Sequence, residues 1–209
     1  MSVDARAQAV AVGGEDRRRL EFILRREVSL NKDSLMTDAH SLVEEHFTSV
    51  HSKDNILKAA QLSNLENVAR TATNSGLVTL FINNQSGKEE KRYGKKGSDD
   101  DRPQRGGDKR GWTHNDLNLK LIRKLEQIAG RDVKRGSGRE GLKDEVLASV
   151  RGRAAELSIP EEAVEAYLDA YVKQEVQMEL LREFVAHFAA FYVLRSAKFT
   201  GHSEDEEER

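Results

Sequence analysis

The fold is decided by Pro160–Phe199, PEEAVEAYLDAYVKQEVQMELLREFVAHFAAFYVLRSAKF. After its first residue it contains neither Gly nor Pro, so the spacing predicts one helix of about 39 residues, roughly 58 Å long at 1.5 Å per residue. Its second half, from Met178 on, is apolar on nearly every side: Leu180, Leu181, Phe184, Val185, Phe188, Phe191, Tyr192 and Leu194. Such a helix must be wrapped by other helices or by a partner protein. The stretch therefore points to packing and assembly before it points to chemistry. Its start is marked by Ser158–Glu161, an S-x-x-E capping box with Pro160 near the first helical position.

Working back from that helix, the rest of the chain supplies shorter ones. Asp16–Val28 places Leu20, Ile23, Leu24 and Val28 at helical spacing, with Asp16 as the expected cap. Ser29–Ser34 breaks it. Thr37–Val50 carries Leu42, Val43, Phe47 and Val50 on one side. Ser52 or Asp54 can open a third helix with Ile56, Leu57, Ala60, Leu65, Val68 and Ala69 facing in, ended by Thr73-Asn-Ser-Gly76. Leu77–Ile82 (LVTLFI) fits a strand or two turns of buried helix. Its helical company favours the helix. His114–Ala129 turns Leu117, Leu121, Leu125 and Ile128 inward, and Leu142–Leu157 does the same through Val146, Leu147 and Val150.

Two stretches interrupt the pattern. Residues 86–113 and 130–141 are rich in Gly and mixed charge and read as flexible insertions. The expected organisation is a disordered 1–14, a single helical domain over 15–200 and an acidic tail at 201–209. The fold class is all-α: a compact helical bundle with a long C-terminal helix.

Composition narrows the function. Charged residues make up 33% of the chain and the net charge is only −2, so overall charge does not mark a nucleic-acid binder. There is no cysteine, which excludes disulfides and thiolate metal sites. No apolar core of signal-peptide length stands near the N-terminus, and no run approaches roughly 18 apolar residues. The expectation is a cytoplasmic protein that meets no membrane.

The chemical motifs are weak. Gly136-Ser-Gly-Arg-Glu-Gly141 spells G-x-G-x-x-G but follows basic residues and no strand, so it reads as a linker and not a dinucleotide site. His40, His46 and His51 are spaced wrongly for two ligands on one helix face. His187 fits a packed or interfacial histidine. No catalytic constellation emerges, and neither a cofactor nor a metal is expected.

The basic residues carry more. Lys88, Lys91, Arg92, Lys95 and Lys96 surround Tyr93, and Arg102, Arg105, Lys109 and Arg110 precede Trp112. Lys and Arg meet phosphates while aromatics stack on unpaired bases. Asp99–Asp101 interrupts that charge, which also fits a plain solvated loop. Lys120, Arg123 and Lys124, with Arg131 beyond them, are held more rigidly because a helix presents them. The expected nucleic-acid contacts are Lys120, Arg123, Lys124, Arg131, Arg92, Lys95 and Lys96. The expected packing or interface residues are Phe184, Phe188, Phe191 and Tyr192.

Three stretches resemble the small α-helical subunit of type III CRISPR effector complexes. Asn74-Ser-Gly-Leu-Val-Thr-Leu-Phe81 is similar to that family's N-G-L segment ending in Phe, with Ser75 as an extra residue. His114-Asn-Asp-Leu-Asn-Leu-Lys-Leu-Ile122 resembles its middle helix after a variable loop. Tyr167–Ala189, through Tyr167, Glu175, Leu181, Phe184, Val185, Phe188 and Ala189, resembles its closing helix. The likeness spans about residues 53–199. Ala186 and His187 stand where the family often has a basic pair, so RNA contact there is not implied.

The resemblance implies a non-catalytic RNA-binding subunit. Copies would stack head-to-tail along a filament of backbone subunits, beside a large subunit, and contact the guide and target RNA. Two other functions compete. One is a helical adapter or oligomerisation protein with no nucleic acid, docking a partner through the apolar C-terminal helix. The other is a small nucleotide binder using the glycine-rich linker.

Overall fold

The computed structural model describes residues 13–93, 111–130 and 141–207, and within them every regular element is helical. The chain runs α1 (Gly14–Leu30), α2 (Lys32–Phe47), a 3₁₀ turn (Lys53–Asn55), α3 (Ala59–Thr71) and α4 (Ser75–Tyr93). A second 3₁₀ segment (Gly111–Asp116) leads into α5 (Leu117–Ala129), then α6 (Leu142–Glu156) and α7 (Glu161–Tyr167). A π turn (Leu168–Val172) joins α7 to α8 (Lys173–Glu207). The all-α expectation holds, and LVTLFI is helix, inside α4. The expected disordered N-terminus lies almost wholly outside the described residues, as do most of the two expected insertions, but residues 86–93 of the first are no loop: they are the helical end of α4.

α8 is the axis of the fold. α2, α3, α4, α5 and α6 all pack against it, while α1 lies on α6 and α7 at one end. Two adjacent stripes of α8 are buried: Val176, Leu180, Phe184, Phe188 and Tyr192, and beside them Met178, Leu181, Val185 and Ala189. Each large apolar side chain so covered contributes roughly 1.5–3 kcal/mol. Glu175, Glu179, Arg182, Ala186 and Ala190 keep one strip toward solvent. The helix that required a wrapping finds it within its own chain.

The C-terminal rod is not one uninterrupted α-helix. Buried Val164, Leu168, Val172, Val176 and Leu180 recur at a constant spacing of four. On 3.6 residues per turn such a stripe drifts by about 40° per step. The wider π turn at Leu168–Val172 takes out part of that drift and keeps the stripe on one side. At the far end the backbone stays helical through Gly201 to Glu207, where the composition turns acidic.

Several local signals were spent differently from expectation. Ser158 does not cap α7, whose start shows no side-chain cap. It takes φ +58° and ends α6 in a Schellman arrangement, with Ser158 N–H donating to Ala155 O and Ile159 N–H to Ala154 O, and Ile159 buried behind it. The Asn74 side chain accepts from Leu77 N–H and so opens α4 instead of closing α3. The last carbonyls of α3 go to Arg182, which donates to Ala69 O and Ala72 O. Ser52 caps only the 3₁₀ turn, and α3 starts at Ala59, where Gln61 accepts from Lys58 N–H. α1 begins at Gly14, ahead of Asp16, and the break before α2 is the single residue Asn31. Asn115 and Asp116 sit at φ +50° and +54°, so α5 starts at Leu117 and not at His114.

Polar contacts tie α6 to its neighbours. Buried Glu27 of α1 accepts from Ser149 Oγ at 2.6 Å and lies 3.6 Å from Arg153 Nε. Arg151 grips Glu165 of α7 with two nitrogens, and that hydrogen bonding holds the Glu165 carboxyl below its usual range.

The junction of α5 and α6 is pinched. Gly130 ends α5 at φ +74°, and a Cβ on Gly141 would lie 2.2 Å from Gly130 Cα and 2.6 Å from Gln127 O. Backbone atoms cannot step aside as a side-chain tip can, so overpacking here is costly. Gly141→Ala is expected to lower stability by about 2 kcal/mol, measured by urea unfolding. An unchanged midpoint would mean that the junction relaxes freely.

Candidate nucleic-acid interface

α5 is oriented as its pattern requires, with Leu117, Leu121, Leu125 and Ile128 buried. The three cations on its outer side separate. Lys120 Nζ lies 2.8 Å from Glu45 Oε1 and Lys124 Nζ lies 2.6 Å from Asp38 Oδ2, both carboxylates belonging to α2. These two lysines are only about a quarter exposed and stitch α5 to α2. They are not the open phosphate contacts expected. Arg123 is exposed and makes no ion pair among the described residues. Lys88, exposed on α4, is a second open cation on a helix that packs against α5. Arg92 belongs to the last turn of α4, while Lys95, Lys96 and Arg131 lie outside the described residues.

Trp112 is a correction. It is fully buried, edge-on to Phe81 at 6.4 Å, and is unavailable to a base. Phe184, Phe188 and Tyr192 are likewise covered inside the chain, and Phe191 packs partly buried between His40 and His187. They form a core, not an exposed interface. Among the described side chains, Val193 and Leu194 are the large apolar ones that α8 leaves exposed. His187 lies 3.4 Å from Glu183.

A buried polar knot lies near this core. Tyr192 Oη accepts from Leu57 N–H at 3.0 Å and its proton meets His46 Nε2 at 2.8 Å. His114 stands edge-on to His46 and donates from Nε2 to Ser49 O at 2.9 Å. Burial, with the His114 charge second, lowers His46 to a pKa of about 4. Burial also pushes the Tyr192 hydroxyl up. A neutral histidine whose Nε2 already accepts a hydrogen bond fastens α2, α8 and the 49–57 connection together. No set of three metal-ligating side chains occurs among the described residues.

Two grooves flank Arg182. One is lined by Ser63, Glu66, Asn67, Arg70 and Ala186, the other by Thr71, Thr73, Gln174, Met178 and Glu179. Glu66 and Glu183 balance Arg70 and Arg182 in the first, and Glu175 and Glu179 outnumber Arg182 in the second, so neither attracts a phosphate chain. Among the described residues no helix is long and apolar enough to cross a membrane.

No family model matches the chain, and no curated protein or solved structure matches it either.

Proposed function

We propose that this chain is a non-catalytic, RNA-binding structural subunit of a type III CRISPR effector complex. In that role it stacks beside neighbouring copies, works with the backbone and large subunits, and touches the RNA backbone from the cytoplasmic side of the cell. The observation that supports this most is the meeting of the three stretches carrying the resemblance. They are far apart in sequence, yet α4, the 111–116 segment, α5 and α8 pack on one another, with Phe81 of the first stretch against Trp112 just ahead of the second. The same unit carries Arg123 and Lys88 outward.

The competing adapter function loses its main surface, because Phe184, Phe188 and Tyr192 are already covered. Of G-x-G-x-x-G only Gly141 lies among the described residues, and its N–H donates to Asp144 at the start of α6.

Single-stranded RNA binding should fall steeply with salt, by about 0.7 log units per log unit of salt for each neutralised phosphate. Arg123→Ala is expected to weaken binding at all sequences and to lower that slope by about 0.7. Fluorescence anisotropy titrations at several salt concentrations measure both. Absence of any RNA binding at low salt would remove the proposal, and an unchanged slope would remove Arg123 from the contact.

A further inference from the structure

The outer face of α1 has a pattern that the assembly role does not use. Phe22 is 70% exposed. On a helix the neighbours of a residue stand three and four positions away on either side. For Phe22 those four positions are Arg18, Arg19, Arg25 and Arg26, all exposed. The inward face of the same helix holds Leu20, Ile23 and Val28 in the core, so the arginines and the phenyl ring are fixed in relation to one another.

The carboxylates on this face are accounted for. Glu15 pairs with Arg19 and Glu21 with Arg25, each at 2.5 Å and one turn apart. Arg18 and Arg26 make no ion pair among the described residues. They stand eight residues apart, about 12 Å along the axis, with the ring between them.

We infer that the Arg18–Phe22–Arg26 face of α1 is a binding site for single-stranded RNA, with an unpaired base stacked on Phe22 and phosphates held by Arg18 and Arg26. A duplex would offer the arginines its phosphates but would leave the ring without a partner, since its bases are already stacked. A membrane surface needs a broad apolar face beside the cations, and here arginines hold all four positions three and four residues from the ring. The inference rests on the RNA-binding function proposed above, but it uses a different helix from Arg123.

The test uses the full chain and a fluorescein-labelled oligouridine, free or annealed to its complement, followed by anisotropy. Phe22→Ala should weaken single-strand binding about tenfold, within the range stacking supplies per base, and leave duplex binding unchanged. Phe22→Trp should restore it. Arg18→Ala with Arg26→Ala should lower the salt slope by about 1.4. All these side chains are exposed, so circular dichroism should show the fold intact. Unchanged binding by the Phe22 and arginine variants, with weakening by Arg123→Ala, would overturn this site and keep the RNA function. No RNA binding by the unaltered chain would overturn both. Phe22-dependent binding to phosphatidylserine vesicles, or equal competition by polyglutamate, would replace RNA with a lipid surface or an acidic protein.

Discussion

Trp112→Ala should cost the protein about 3–5 kcal/mol of stability, the usual range for removing a large buried aromatic. The residue is fully buried, packs edge-on to Phe81, and anchors the 111–116 segment between α4 and α5. Gly111 before it takes φ +50°, and the Glu89 carboxylate lies where a Cβ would go. That carboxylate accepts from Gln61 Nε2 and from Thr113 N–H, so the segment is clamped on both sides of the indole. Trp112 Nε1 has no acceptor among the described residues, so Trp112→Phe removes an unsatisfied donor along with volume and should cost less than the alanine change. Urea unfolding followed by circular dichroism reads both variants. A loss under about 1 kcal/mol for the alanine variant, joined to weaker RNA binding, would return Trp112 to a base-stacking role in a loop.

Acid should destabilise this protein in a window set by His46. Its pKa falls from 6.5 to about 4 on folding, through burial first and the neighbouring His114 second. The unfolded chain therefore binds a proton that the folded chain refuses, and stability rises with pH between those two values. Above about pH 6.5 the neutral ring costs nothing. The loss begins as pH drops through 6.5 and is complete near 4. At 1.36 kcal/mol per unit it amounts to about 3 kcal/mol. His46→Gln removes the titration while also losing contacts to Tyr192. The variant should be the less stable at pH 7, and the gap should narrow by about 3 kcal/mol by pH 4. Parallel stability profiles for the two proteins would remove His46 as the acid-sensitive group.

Much of the fold was legible because burial obeys helical period. Leu117, Leu121, Leu125 and Ile128 were placed by spacing alone, whereas Phe184, Phe188 and Tyr192 stand in a stretch apolar on nearly every side, which left open whether this chain or a partner covers them. Local caps were less legible, since one polar residue can serve either of two adjacent helices. Ser158 and Asn74 both went to the helix on the other side from the one expected. The site was least legible. Lys120 and Lys124 look the same in sequence whether they face solvent or a carboxylate, and Glu45 and Asp38 lie some eighty residues away. Trp112 sits among Gly and Arg, which hid a core residue inside a loop-like composition. The arginines around Phe22 were within reach: RRLEFILRR over residues 18–26 is symmetric about the aromatic at helical offsets.

The pinch at Gly130 and Gly141 bears on how this protein can change. The two glycines touch, so whatever joins them starts and finishes at one spot of the fold. The cost of closing such a connection grows only with the logarithm of its length. The bundle therefore exerts little selection on how many residues lie between α5 and α6. That neck can accept or lose chain during divergence while the contact that seats the two helices stays the same. The constraint falls on two small residues at the base, not on the span they enclose.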